Sequence, residues 1–131
     1  MSKRINVVGA VIVRGGQVFA VQRGPGKALP GMWEFPGGKV EAEESPQDAL
    51  ARELREELLC DARVGDFITT TEHDYSFGTV VLSTYFCELE HGEPRLTEHV
   101  DLRWLPPARL NSLDWAPADI PAVELIMEKL A

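Results

Sequence analysis

Residues 37–60 read GGKVEAEESPQDALARELREELLC, and this stretch decides how the rest of the chain is read. Within it, Glu53, Glu56 and Glu57 follow one another at i, i+3 and i+4. On a helix those positions share a face, so three carboxylates crowd into one patch. Like charges so spaced oppose the helix by about 0.2–0.5 kcal/mol per pair. A hard divalent cation such as Mg²⁺, which prefers oxygen ligands, is the natural group to sit between them. The helix itself is well signalled. Ser45 suits the N-cap, Pro46 the first helical position, and Asp48 completes a capping box. Ala49, Leu50, Leu54 and Leu58 then supply the apolar stripe.

Working outward, Ile5 to Val13 is β-branched and mostly apolar, a buried strand. Gly15-Gly16 makes a turn, and Val18 to Gln22 reads as its hairpin partner. Gly24 to Gly31, with three glycines and two prolines, is a loop. Trp33-Glu34-Phe35 is a short extended piece before Pro36. Val64 to Thr71, Thr79 to Glu88 and Val100 to Leu105 are strand candidates. Pro106-Pro107 opens a short helical or irregular segment through Leu113. Ile120 to Leu130 closes the chain as a helix, with Val123, Ile126, Met127 and Leu130 on one face. Strands on both sides of one central helix, with a second helix at the end, predict an α/β class fold with a mixed β-sheet between helices.

The bulk properties set bounds. A chain of 131 residues, 44% hydrophobic and 26% charged, suits one soluble globular domain over 1–131. The net charge of −8 argues against duplex nucleic acid as the main partner, since phosphate neutralisation drives such binding. It leaves a nucleotide open, because a few local cations and a metal suffice for a triphosphate. Cys60 and Cys87 form no CxxC pair. Reduced thiols acting as small apolar fillers in the cytoplasm are the simpler reading, with a disulfide between them the alternative. No signal peptide or membrane-length apolar run is visible. A monomer and a homodimer are both compatible with the sequence.

Gly38 to Cys60 resembles the signature of the Nudix hydrolases, G-x5-E-x7-R-E-U-x-E-E-x-G-U with U a bulky aliphatic residue. Gly38 is followed five residues later by Glu44, then after seven more by Arg52-Glu53, Leu54 and Glu56-Glu57. Every charged position is in register. Leu59 stands where the last glycine belongs, Cys60 takes the aliphatic slot, and Glu43 replaces a glycine common before the first glutamate. The final glycine suits a left-handed residue after the helix, where leucine costs about 1 kcal/mol. The resemblance implies the α/β/α Nudix fold and hydrolysis of a nucleoside diphosphate linked to another group. It implies that Glu53, Glu56 and Glu57 ligate Mg²⁺, or Mn²⁺, with the Gly37 carbonyl adding an oxygen. Arg52 and Glu44 would pair and orient the glutamates. Arg23 and Lys39 are placed to reach phosphate, with a surface salt bridge the alternative for each.

The resemblance reaches further. Trp33-Glu34-Phe35-Pro36-Gly37-Gly38-Lys39 is similar to the approach to the signature in MutT-type nucleoside triphosphate pyrophosphohydrolases. Gly92-Glu93-Pro94, Glu98 and Arg103-Trp104 match the same group. Glu98 aligns with a glutamate used there as a further metal ligand or base, and reads otherwise as an exposed loop carboxylate. His99 beside it reads as a surface residue. Trp115-Ala116-Pro117-Ala118-Asp119-Ile120-Pro121 resembles the base-recognition corner. An asparagine fills the Asp119 position in the 8-oxo-dGTP enzymes, and the Ala-Pro-Ala-Asp-Ile-Pro form is closer to the CTP and 5-methyl-dCTP enzymes. Asp119 would accept from an exocyclic amino group, or cap the last helix, or do both. Phe35 and Leu82 are candidate walls of the base pocket, and equally plain core. The expected substrate is a nucleoside triphosphate, 8-oxo-dGTP or (modified) (d)CTP. ADP-ribose or a dinucleoside polyphosphate is the alternative substrate, and a non-catalytic nucleotide-binding module the alternative class.

Overall fold

A computed structural model describes residues 3–130. Strand β1 (Arg4–Arg14) runs through the centre of the sheet. Its last residues pair antiparallel with β2 (Gln17–Gln22), Val13 opposite Val18. Gly15 and Gly16 both take positive φ, 58° and 76°, the combination that a two-residue hairpin turn demands and that glycine meets without a Cβ clash. Two short strands follow, β3 (Trp33–Glu34) beside β2 and β4 (Gly37–Lys39) antiparallel to β1.

The signature helix α1 (Pro46–Leu58) comes next. Its N-cap forms as expected, Ser45 Oγ accepting from the Asp48 N–H at 3.0 Å. A long hairpin follows, β5 (Asp61–Tyr75) and β6 (Gly78–His91). β6 lies parallel to β1 from Arg4–Thr79 to Ile12–Cys87. Strand β7 (Asp101–Leu105) pairs with β2. A 3-10 segment (Pro107–Ser112) and a 3-10 turn (Pro117–Asp119) lead into α2 (Ile120–Leu130).

Period-2 alternation divides the apolar residues between two cores. Val8, Ala10 and Ile12 of β1, with Phe19 and Val21 of β2, meet Ala49, Leu50, Leu54 and Leu58 of α1. Val11 of β1, with Val18 and Ala20 of β2, meets Trp33, Phe35, Trp115 and the Ala122, Val123 and Ile126 stripe of α2. Helices therefore cover both faces of a mixed sheet, the expected α/β/α arrangement. Cys60 and Cys87 are free and buried. No described helix is long and apolar enough to cross a membrane.

Strands β5 and β6 run well past the expected 64–71 and 79–88. Glu72 to Tyr75 is polar, which hides the end of the strand in sequence, yet it pairs residue for residue with Gly78 to Val81. Strand β4 was not expected at all, since Gly37-Gly38-Lys39 lacks any β-branched residue.

Candidate active site

The site starts where α1 meets β4. Gly37 pairs with Gly9 and Gly38 with Val8. A Cβ on Gly37 would overlap the Val8 carbonyl, and one on Gly38 would lie 2.5 Å from Glu53 Oε2. Gly38 thus lets the Glu53 carboxylate press directly on β4, while Gly37 lets β4 lie close against β1. Arg52 binds the neighbouring groups together. Its Nε and Nη2 donate to the two Glu44 oxygens at 2.7 and 3.0 Å. Its Nη1 donates to Glu53 Oε1 at 3.0 Å and Glu56 Oε2 at 3.1 Å. Nη2 also reaches the Lys39 carbonyl at 3.0 Å. Planar, bidentate donation of this kind is what a guanidinium offers and an ammonium does not. The Arg52 hydrogen bonds hold the Glu44 carboxyl below its ordinary range. The same contacts, Glu44 foremost, raise Arg52 above its ordinary value. Glu53 moves the other way: burial raises it, and Arg52 only partly offsets that.

Glu57 faces a cleft of about 410 Å³. Its Oε2 is buried with no hydrogen-bond partner. Burial, then the charges of Glu53, Glu98 and Glu34, push its carboxyl up to about 8, with Lys27 opposing. The cleft wall includes Gly37, Gly38 and Lys39 from β4, and Glu98 from the segment before β7. Glu98 is half exposed, with its Oε2 3.5 Å from Lys27 Nζ. Arg23 also lines the cleft, but its Nη1 is bound to Glu34 Oε1 at 2.9 Å. It is neither a surface salt bridge nor a free cation. Glu56 is not brought into the cleft; it lies exposed against Arg52.

The other end of the cleft is formed by Phe35, Leu82 and Asp119. Phe35 and Leu82 are at once core and wall, since both are buried and both line the cleft. The Phe35 ring packs on Trp115 with centroids 4.7 Å apart. Trp33 N donates to the Asp114 carbonyl, and Ala116 N donates to Trp33 O, both at 2.9 Å. These bonds fasten the Asp114–Ala116 segment beside β3. Asp119 is 6% exposed. Of the uses open to Asp119, the cap is not the bond seen: its Oδ1 accepts from the Phe35 N–H at 3.1 Å, 84 residues away in sequence, and the residue lines the cleft. Burial, then the Glu34 charge, raise its pKa well above the ordinary aspartate value. A protonated Asp both donates and accepts, as an Asn does.

Four polar cleft residues were not among the expected site residues: Lys27, Glu34, Tyr75 and His99. Tyr75 Oη accepts from the Ala118 N–H at 2.8 Å, tying the end of β5 to the turn that carries Asp119. Glu34 had a usable signal, a lone charge between two aromatics in an extended stretch. Lys27 sits in a glycine- and proline-rich loop, and Tyr75 and His99 each follow an acidic residue, so all three look solvated in sequence.

Both departures from the signature keep the backbone that glycine would take. Leu59 sits at φ 54°, ψ 37°, a left-handed C-cap, with its side chain 56% exposed. Glu43 sits at φ 66°.

The donor set fits a hard divalent cation in kind: carboxylates around a buried, unpartnered oxygen of Glu57, with backbone carbonyls nearby. Among the described residues, no three His, Cys, Asp or Glu side chains already stand close enough to hold an ion.

A Gly-lined carboxylate helix beside a nucleotide-sized cleft, on this sheet order, defines a phosphohydrolase class. The sequence pattern of the NUDIX domain matches residues 3–126, and the chain belongs to that family. Its members generally require a divalent metal. The CTP pyrophosphohydrolase of Escherichia coli (strain K12) is 40% identical over 125 residues, 95% of this chain and 93% of that one. The 8-oxo-dGTP diphosphatase of Haemophilus influenzae is 32% identical over 133 aligned positions, covering 98% and 96%. Among solved structures, the MutT Nudix hydrolase of methicillin-resistant Staphylococcus aureus 252 superposes with a TM-score of 0.81 at 54% identity, covering 98% of this chain and 99% of that one.

Proposed function

We propose that the chain is a Mg²⁺-dependent nucleoside triphosphate pyrophosphohydrolase that removes damaged or modified nucleotides, 8-oxo-dGTP or (modified) (d)CTP, from the pool. Water forms a new P–O bond, the anhydride between the α- and β-phosphates breaks, and the nucleoside monophosphate and pyrophosphate leave. The observation that carries this reading is Glu57 on the cleft wall, with one buried, unpartnered oxygen and the charges of Glu53 and Glu98 acting on it. Glu53, Glu56, Glu57 and Glu98, with the Gly37 carbonyl, are the groups that would hold Mg²⁺. Bound there, the metal neutralises phosphate oxygens and lowers the pKa of the attacking water.

The chain's own residues do the rest. Arg52 and Glu44 hold the root of the carboxylate cluster. Lys39, exposed at the cleft wall, meets the phosphates, and Arg23 backs Glu34 at the base end. Phe35 and Leu82 form an apolar slot for the base. Asp119, its carboxyl raised by burial and the Glu34 charge, faces the base edge. The relatives named for CTP and for 8-oxo-dGTP support these two substrate types.

The test is pyrophosphate release with Mg²⁺ from a panel of dCTP, 5-methyl-dCTP, 8-oxo-dGTP, the common dNTPs and ADP-ribose. One of the cytidine or 8-oxoguanine nucleotides should lead. Faster turnover of ADP-ribose than of every triphosphate would reject the reading. Asp119→Asn should reorder the cytosine and 8-oxoguanine substrates; an unchanged order leaves Asp119 with the Phe35 contact alone.

A further inference from the structure

His99 is the least expected member of the site. Its side chain is 7% exposed and its Nε2 lies 2.9 Å from Glu34 Oε2. A carboxylate only accepts, so Nε2 carries the hydrogen in this contact. The other ring nitrogen, Nδ1, is buried without a partner. A polar ring buried with one nitrogen unsatisfied costs free energy that an apolar filler would not. The Glu34 contact is what that cost secures.

The contact spans two halves of the site. The segment carrying Glu98 and His99 is tied to the C-terminal end of α1, where Arg95 N donates to Leu58 O at 2.8 Å and Thr97 Oγ1 to Glu57 O at 2.7 Å. Beyond His99, Val100 N donates to the Gln22 carbonyl of β2 at 3.0 Å. The segment is thus held by backbone at both ends, while His99 fastens its middle to β3. On β3, Glu34 is held from its other oxygen by Arg23, and the next residue, Phe35, donates to Asp119. A continuous line of contacts runs from Glu98 through His99 and Glu34 to Phe35 and Asp119.

We propose that His99 is a positioning residue whose clasp on Glu34 sets the Glu98 carboxylate against the acidic face of α1 and couples that carboxylate to the base-reading end of the cleft. The proposal rests on the pyrophosphohydrolase reading for its kinetic part, but its metal-binding part does not.

The test compares wild type, His99→Ala and His99→Gln by Mn²⁺ binding in electron paramagnetic resonance without nucleotide, and by kcat and KM for dCTP and 8-oxo-dGTP. Loss of a group that orients a metal-binding carboxylate weakens binding or activity by about 10–100-fold. H99A should weaken Mn²⁺ binding and lower kcat by at least the lower figure. H99Q, whose amide N–H can again donate to Glu34, should recover most of both. Unchanged Mn²⁺ affinity in H99A overturns the proposal, as does equal loss in H99A and H99Q. If H99A does not fold, His99→Asn replaces it, because its shorter amide does not reach Glu34. A wild type that binds Mn²⁺ but hydrolyses no triphosphate rejects the pyrophosphohydrolase reading, and the Mn²⁺ comparison still decides the clasp.

Discussion

Glu57 is half-buried, has a buried Oε2 with no hydrogen-bond partner, and has Glu53 and Glu98 as charged neighbours. Such a carboxylate is disfavoured as an anion until a cation arrives. Glu57→Gln keeps the shape and removes the charge. Its kcat should fall by at least about 10², the scale seen when a key electrostatic group is lost, while its metal-free melting temperature holds or rises. Near-wild-type turnover in that variant would place the essential carboxylate elsewhere. Asp119 makes a different use of burial. Burial, then the Glu34 charge, raise its pKa, while the bond from the Phe35 N–H opposes that shift and fixes the carboxyl in place. The residue type had been legible, with both uses open; the 84-residue contact to Phe35 was not.

At the scale of elements, α1 was the most legible part of the chain, because its cap, apolar stripe and charged register all agree. Its end is the exception. Leu59 adopts the left-handed conformation that the family fills with glycine, and Arg95 N and Thr97 Oγ1 cover the Leu58 and Glu57 carbonyls there. The segment leading to Glu98 thus completes the helix end, which explains why the fold keeps this geometry despite leucine. Leu59→Gly should raise the stability of the protein by about 1 kcal/mol, read as a higher urea midpoint at unchanged slope. A lower midpoint would mean that the exposed Leu59 side chain contributes packing after all. Strand β4 and the outer parts of β5 and β6 were hidden for a shared reason. Their pairing partners, rather than their own side chains, hold them extended. His99 was hidden likewise: a lone histidine next to Glu98 looks solvated until Glu34, 65 residues earlier, is folded over it.

For the whole molecule, the acidic site makes stability depend on pH. Burial raises Glu57 to about 8, and raises Glu53 as well. A raised carboxyl binds its proton more tightly in the folded state. The stability it contributes is complete below its ordinary value and is lost as pH climbs through the folded one. Glu44, held low by Arg52, has the opposite sign and loses its contribution on acidification. Metal-free protein should therefore melt at a lower temperature at about pH 8.5 than at about pH 6. Added Mg²⁺ should raise the melting temperature more at the higher pH, where the glutamates are ionised and ready to bind. A Mg²⁺ increment that is equal at both pH values would argue against the glutamate cluster as the metal site. Two helices over one mixed sheet were foreseeable from alternation and periodicity. The cleft between β4, β3 and the Glu98 segment was not, because it is assembled from short pieces that become neighbours only in three dimensions.

The proposed reaction splits a nucleoside triphosphate between its α- and β-phosphates with Mg²⁺, and phosphorus NMR of dCTP and of 8-oxo-dGTP incubated with wild-type protein and Mg²⁺ reads it out. Signals of the nucleoside monophosphate and pyrophosphate should grow together in equal amounts, and should be absent with Glu57→Gln or excess EDTA over the same period. Release of inorganic phosphate with the nucleoside diphosphate, or no change in either substrate, would contradict it.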